Sequence, residues 1–353
     1  TGVQTCALPI SIMMIIASHP ARYQKPKADL SVQCLLCPHV CLIPEGALGQ
    51  CGVRQNREGS LYTLSYNHPC SMGIDPVEKK PLFHFHPGEK ILSIATEGCN
   101  FHCLNCQNWH ISQRSPKEGR RSPVTATEII DTTRSHSCKM IAFTYTEPTV
   151  FYEYMYDISS AAREKGLKTV MISNGYINRD PLLALTPFLD AANIDLKSFD
   201  DGAYRKMTGG SLYPVLRTLR TLLQQKVWLE ITHLLIPGYN DAPATIERMC
   251  RWLADNGFSD TPLHLSRFFP TYKLTDRPPT PLQTLSMATE IALECGIRYV
   301  YPGNISHTED ENTFCPNCKK VLIERNGFQL LRNRITKGHC PYCNEPIAGK
   351  WSD

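Results

Sequence analysis

The 353-residue sequence has no apolar run of about 18 residues, so no membrane-spanning helix is expected. It lacks a strong charge bias as well. The 37 Lys and Arg stand against 33 Asp and Glu, and a formal charge of +4 does not by itself mark a nucleic-acid-binding chain. The opening stretch "TGVQTCALPISIMMIIASHP" is short of two things, an initial Met and a basic segment ahead of its apolar core, and so makes a poor secretory signal. Residues 1–12 read as upstream translation or a cloning remnant, with Met13 or Met14 as the start. Residues 1–29 read as a non-native or disordered N-terminus, and Cys6 carries no weight.

Cysteine is abundant, with sixteen residues, yet at one place a cysteine is missing. The stretch "EGCNFHCLNCQNWHISQ" supplies Cys99, Cys103 and Cys106, and no fourth cysteine follows until Cys138. Two other groups are complete tetrads. Cys315, Cys318, Cys340 and Cys343 form two Cys-Pro-x-Cys knuckles about twenty residues apart, the spacing of a zinc ribbon. Cys34, Cys37, Cys41 and Cys51 form the second tetrad. Four thiolates suit either zinc or a closed iron–sulfur cluster, and their spacing does not choose between them. Such clustered spacings in a large chain point to metal ligation in a reducing cytoplasm rather than to disulfides. Cys70, Cys138, Cys250 and Cys295 stand alone and read as buried small apolar residues. His84 and His86 of "FHFHPG" read as structural histidines. The basic residues Lys319, Lys320, Arg325, Arg332, Arg334 and Lys337 read as a solvated or partner-facing surface.

Between the tetrads, strand and helix signals alternate. "ILSIAT" (91–96), "MIAFTYT" (140–146), "KTVMIS" (168–173), "AANIDL" (191–196), "VWLEITHLLI" (227–236), "TPLHLS" (261–266) and "IRYVY" (297–301) are apolar runs of strand length. Amphipathic stretches separate them. One opens with Thr125 and Glu128 at capping-box spacing, one stops at Gly166, and one starts near Asp180. The segments 213–225, 244–257 and 281–296 are also helical in pattern. The alternation predicts parallel strands with helices outside: an α/β fold, a partial (β/α) barrel over residues 76–309. A small N-terminal four-Cys module (30–75) and a C-terminal zinc-ribbon-like module (310–353) flank it. Barrel chemistry sits at the carboxyl ends of strands. The three cysteines, Glu147, Asn174, Asp195 and Lys197 all fall at such ends, with His233 inside the fifth strand and Arg267 after the sixth.

Three thiolates on a four-iron cluster leave one iron without a protein ligand, open to substrate or cofactor, and Gly98 permits the tight turn that wraps them. A zinc site completed by His102 or His110 is the plainer alternative.

Cys-x3-Cys-x2-Cys after the first barrel strand resembles the radical S-adenosylmethionine enzymes. A longer set of segments, "CLLCPHVC", "GQCGVR", "EKKPLFHF", "FTYTEPTVF", "NIDLKSF", "LIPGYND", "HLSRFFPTYKLTD" and "YPGN…ENTFCPNC", resembles the radical enzyme of the AmmeMemoRadiSam system, which is related to the pyruvate formate-lyase-activating enzymes. The resemblance implies a [4Fe–4S] cluster on Cys99, Cys103 and Cys106 whose open iron binds S-adenosylmethionine. One electron then yields methionine and a 5′-deoxyadenosyl radical that takes hydrogen from a substrate. It further implies that Glu147 meets the cofactor's ammonium group, that Asn174 lies near its sugar, and that Asp195 and Lys197 contact it. Two positions depart from the family pattern: Asn105 stands where an aromatic residue is usual, and Phe269 where His is common.

The expected function is therefore a radical enzyme of unspecified substrate. An activase that places a glycyl radical on a partner protein is the alternative. Expected partners are an electron donor such as a flavodoxin or ferredoxin and the other proteins of the AmmeMemoRadiSam system. A zinc-stabilised nucleic-acid-binding protein is the alternative of another class. It accounts for the tetrads but not for the three-thiolate loop.

Overall fold

The computed structural model of the chain describes residues 19–116, 122–305 and 311–351. The readings that concern Cys6, Met13 and Met14 lie outside these residues. An eight-stranded sheet forms the body. Its strands are β1 (Ser71–Pro76), β2 (Lys90–Ala95), β3 (Met140–Phe143), β4 (Lys168–Ser173), β5 (Ala191–Asp195), β6 (Trp228–Leu235), β7 (Leu263–Arg267) and β8 (Val300–Gly303), each beside its neighbour in sequence. Strands β2 to β8 run parallel, and β1 pairs antiparallel with β2, Asp75 opposite Ile91. β1 and β8 remain edges, so the sheet curls without closing, as a partial barrel.

Besides the single turn Trp109–Ser112, the α-helices of the described residues are α1 (Ala126–Ser135), α2 (Tyr152–Glu164), α3 (Arg179–Leu185), α4 (Asp201–Thr208), α5 (Leu212–Gln224), α6 (Pro243–Asp255) and α7 (Leu282–Glu294). The capping box before α1 forms as its spacing predicts: Glu128 N donates to Thr125 Oγ1 (3.2 Å) and Thr125 N to Glu128 Oε2 (2.7 Å). Helix α4, not expected from the apolar pattern, is capped by Asp200, whose Oδ1 accepts from Ala203 N at 2.7 Å.

Alternation along each strand divides the core in two. Leu92, Ile94, Ile141 and Phe143 join the helices on the outer face. Ile91, Met140, Ala142, Val170 and Ala191 face inward and meet Val77, Leu82 and Phe85 from the segment after β1. That segment fills the lumen at the amino ends of the strands, which leaves the carboxyl ends for chemistry. Glu230 secures the filling: it accepts from Phe83 N (2.9 Å), His84 N (2.8 Å) and His264 Nε2 (2.7 Å).

Two boundaries differ from the sequence reading. Residues 19–29 are not outside the N-terminal module. His19–Pro20 pairs with Ser60–Thr63, and Gln24–Pro26 pairs with Val32–Cys34. Strands of two or three residues are too short for alternation to reveal. Residues 71–75 belong to the sheet as β1, a strand hidden because its pattern is inverted: Met72 and Ile74 face out while Asp75 points in. The C-terminal module is a three-stranded sheet of Thr313–Phe314, Val321–Asn326 and Gln329–Asn333.

Candidate active site

The three-cysteine loop leaves β2 and is pinned at several points. His102 N and Leu104 N donate to Thr208 O (2.8 Å) and Met207 O (3.0 Å) at the end of α4, and Gly98 N donates to Ile111 O (3.1 Å). Gly98 sits at φ +96°. A Cβ there would stand 2.4 Å from Val53 Cγ1 and 2.8 Å from the Cys51 carbonyl oxygen. The position therefore requires glycine for its backbone angle and for the close seat of the N-terminal module. Gly210 serves the loop's other side, where a Cβ would meet the Phe101 ring at 2.2 Å.

Cys99 Sγ accepts from Phe101 N (3.3 Å), and Cys106 Sγ lies 3.2 Å from Ser112 Oγ. Burial pushes the Cys99 thiol well up, with the Glu147 charge adding to it. Burial also pushes Cys103 up to about 12, against the pull of Lys197. These fields come from the ends of β3 and β5, so the strand-end convergence expected from sequence is present. His102 and His110 are both exposed, and His102 Nδ1 is taken by Gln113 Oε1 at 2.8 Å. Neither joins the sulfurs in a compact ligand group among the described residues. The zinc-with-histidine alternative therefore has no geometry here.

Glu147 is buried, and four donors surround its carboxylate. Thr149 N (2.9 Å), Thr149 Oγ1 (2.6 Å) and Ser173 Oγ (2.8 Å) reach Oε1, while Asn174 N (2.8 Å) reaches Oε2. Burial raises its pKa against these hydrogen bonds. Asn174 is committed too: Nδ2 donates to Asn100 Oδ1 and Oδ1 accepts from Tyr176 N, both at 2.8 Å. Asp195 and Lys197 form a 2.7 Å ion pair that is partly open to solvent. Burial lowers the Lys197 pKa, but Asp195 and Cys103 outweigh it, so the net direction is up.

His233 is buried in β6 with Nδ1 2.6 Å from Leu196 O, and burial holds its pKa down to about 4. Arg267 Nε donates to Thr280 O at 2.7 Å.

Sequence reasoning missed a polar floor inside the lumen. Lys80 Nζ pairs with Asp75 Oδ2 at 2.6 Å and lies 3.2 Å from the Tyr145 hydroxyl. Ser93 Oγ and Tyr145 Oη donate to the same Asp75 oxygen. Burial works to raise the Asp75 pKa, but these three donors and Lys79 Nζ, 2.8 Å from Oδ1, prevail and hold the carboxyl ionised. Burial lowers Lys80 to about 8 and raises Tyr145 to about 12. Tyr145 sits at φ +64°, an angle uncommon for a bulky residue, and this aims the ring downward to Asp75.

The cysteine sets differ in width. Sulfur separations are 3.6 Å for Cys315–Cys343 and 3.7 Å for Cys318–Cys340. A tetrahedral ion with metal–sulfur bonds of about 2.3 Å spaces its sulfurs by roughly 3.8 Å, so this donor set fits one thiolate-bound ion. Among the described residues it is the one group of three or more ligand atoms lying within 4.8 Å of one another. Cys34, Cys37, Cys41 and Cys51 instead line one pocket with no three of their sulfurs within 4.8 Å of one another.

Other expectations divide. His84 is structural, held by Ala348 O (2.6 Å) and Tyr301 Oη (2.5 Å). Cys138 and Cys250 are buried, while Cys70 and Cys295 are only partly covered. The basic row is broken: Arg325 is buried, its Nη2 donating to Phe83 O at 2.8 Å, with Glu78 3.9 Å from Nε. The fifteen cysteines of the described residues are free of disulfides, and no helix of the described residues is long and apolar enough to cross a membrane.

Similarity to known proteins runs the length of this architecture. The Radical SAM superfamily model matches residues 93–253. An uncharacterized protein of Methanocaldococcus jannaschii is 46% identical over 329 residues, 93% of this chain and 98% of that protein. The pyruvate formate-lyase 1-activating enzyme of Escherichia coli (strain K12) is 26% identical over 107 residues, 30% of this chain and 44% of that enzyme. A domain of a pyruvate-formate lyase-activating enzyme from Bacteroides vulgatus superposes with a TM-score of 0.40 at 18% identity, over 46% of this chain and 98% of that one. The matched segment carries the three-cysteine loop after β2, Glu147 after β3 and Asp195 at the end of β5, and the chain belongs to the Radical SAM superfamily of enzymes.

Proposed function

We propose that the protein cleaves S-adenosylmethionine reductively at a [4Fe–4S] cluster on Cys99, Cys103 and Cys106 and uses the resulting 5′-deoxyadenosyl radical on a substrate in the barrel mouth. The observation that carries this is the meeting of three sulfurs with Glu147, Asp195 and Lys197 from separate strand ends. The cluster supplies an open iron and one electron. The residues supply position. Glu147 Oε1 holds Thr149 and Ser173, and Oε2, with one donor, keeps an acceptor site for the cofactor's ammonium group. Asn174 ties the β4 end to Asn100 of the cysteine loop, on the side assigned to the sugar. The Asp195–Lys197 pair offers an acceptor and a donor at the mouth. The inward Asp75–Lys80–Tyr145 floor limits how deep a substrate reaches.

The compact C-terminal tetrad supports a structural zinc ion. The ordered segments quoted above support membership of the AmmeMemoRadiSam system. That reading carries with it a flavodoxin- or ferredoxin-type donor and the system's other proteins as partners. Fifteen free thiols support a reducing, cytoplasmic setting. The activase reading draws on the similarity to the Escherichia coli activating enzyme and on exposed Trp109, which follows the cysteine loop, stacks on Tyr272 and suits a protein segment. The test is anaerobic: reduced, iron-loaded protein converts S-adenosylmethionine to methionine and 5′-deoxyadenosine, and Cys103→Ala does not. Iron-loaded wild type that yields neither product, with or without candidate substrates, refutes the reading.

A further inference from the structure

We propose that Cys34, Cys37, Cys41 and Cys51 hold a second iron–sulfur cluster, a closed four-iron one, which carries single electrons toward the Cys99 loop. Width is the first argument. Four thiolates on a single ion crowd together, as Cys315, Cys318, Cys340 and Cys343 do. The N-terminal sulfurs instead stand apart, no three of them within 4.8 Å of one another, around a pocket walled further by Leu36, Ile43 and Val150. An iron–sulfur cube with a thiolate on each corner needs such an interval, and a zinc ion does not.

The cavity is also held open. Asn178 Nδ2 donates to Leu35 O (2.7 Å) and Cys37 O (3.1 Å), and Asn178 N to Leu36 O (3.0 Å). Cys34 N donates to Cys41 O at 2.8 Å. The loop bearing Cys34 and Cys37 is thereby bonded to the segment after β4, which fixes its backbone relative to the sheet.

A second, independent observation points to an anionic occupant. Arg54 lines the cavity and is 1% exposed. Its Nη2 donates to Glu153 Oε1 (2.6 Å) and its Nη1 to Arg22 O (2.7 Å), but its buried Nε has no partner. A buried N–H without an acceptor is destabilising. Cluster sulfur is an acceptor of the kind such a donor lacks, and hydrogen bonds to sulfur tune cluster potential.

Placement suggests the role. Asn100 and Thr149 line the cavity from the other side. Asn100 follows Cys99 and holds Asn174, and Thr149 holds Glu147. With four protein ligands no iron is left open, so the group stores and passes electrons rather than binding substrate. A low-potential one-electron donor protein is oxidised, the N-terminal cluster is reduced, and it is reoxidised by giving the same electron to the Cys99 side. The relay rests on the radical reading above; the cluster assignment does not.

The experiment separates the two. The full chain carrying Cys99→Ala, Cys103→Ala and Cys106→Ala is reconstituted anaerobically with iron and sulfide, and metals and labile sulfide are counted. Retention of about four irons supports the assignment. The reduced variant should also give an electron paramagnetic resonance signal that S-adenosylmethionine leaves unchanged. Zinc in their place, two irons, or no metal at the N-terminal set overturns it. Cys34→Ala with Cys37→Ala should remove the same iron and leave zinc at the C-terminal tetrad as a check on folding. In that double variant, reduction of the remaining cluster by a flavodoxin should slow several-fold while reduction by dithionite is unchanged. An equal flavodoxin rate overturns the relay and leaves the assignment standing.

Discussion

Two tetrads of cysteine flank one sheet, and their sulfurs are arranged differently. At the C-terminus, two knuckles approach along one short hairpin module until their sulfurs nearly touch. At the N-terminus, the cysteines come from loops held by other parts of the chain: Asn178 after β4, Glu153 in α2 through Arg54, and Gly98 in the cysteine loop. On the proposed assignments, metal identity would be set less by the number of thiolates than by what fixes their separation. A self-contained module can collapse onto an ion. A module fastened to a barrel keeps the interval the barrel imposes.

The largest expected effect breaks the compact side. Cys315→Ser or Cys340→Ser should release bound zinc and unfold residues 311–351, because structural zinc in small modules contributes on the order of 10 kcal/mol. Iron absorbance should persist, as measured by metal analysis and visible spectra. Loss of iron instead of zinc would reverse the assignment of the two tetrads. Next in size is the anchor of the wide side. Arg54→Met leaves the buried Glu153 without its cation, held only by Arg22 N, at a cost of about 3 kcal/mol. Limited proteolysis should then cut the N-terminal module first, with the C-terminal zinc retained.

Much of this difference was hidden in the sequence, for physical reasons. The parallel sheet was legible because strands β2 to β7 are apolar on both faces and lie between periodic helices. The cysteine loop and the strand-end residues Glu147, Asp195 and Lys197 were legible because they directly follow or end apolar strand runs, where barrel folds gather their polar groups. The floor was not. Asp75 lies on a strand whose apolar residues face outward, and Tyr145 reaches it only through a backbone angle of φ +64° that the residue type does not announce. Arg325 looked like one member of a basic surface row, yet strand alternation turns it inward to Phe83 and Glu78. Nor could ligand spacing distinguish the tetrads. Their widths depend on Asn178 and Arg54, residues with no local signal.

Acid should sharpen the comparison from the opposite end. His84 anchors the C-terminal module through Ala348 O and Tyr301 Oη, and burial lowers its pKa to about 4. An unfolded histidine titrates near 6.5, so between about pH 6.5 and 4 the unfolded chain binds the extra proton. The stabilisation is complete above pH 6.5 and is lost as pH falls toward 4, by up to roughly 3 kcal/mol for this residue. His233 adds a loss of the same sign in the barrel itself. Hydrogen exchange at pH 5 against pH 7.5 should therefore show residues 321–351 loosening before residues 19–64, whose Arg54 anchor stays charged throughout. Equal loosening of both modules would show that His84 does not govern the C-terminal contact.

The smallest effect expected tests the interval itself. Asn178 precedes α3, where a side chain would ordinarily cap the helix, yet its amide makes no cap bond and instead serves Leu35 O and Cys37 O. Asn178→Ala removes these two hydrogen bonds, each worth about 1 kcal/mol, without touching a cysteine. Global stability should fall only slightly. The freed loop can then draw Cys34 and Cys37 inward, and the cavity no longer has to stay open. Reconstituted with iron, sulfide and zinc together, this variant should take up more zinc and less iron at the N-terminal set than wild type, while the C-terminal set is unaffected. Asn178→Gln, which keeps an amide but overreaches by a methylene, should fall between the two. If both variants keep the wild-type iron-to-zinc ratio, the barrel does not set the width, and the four cysteines fix it by themselves.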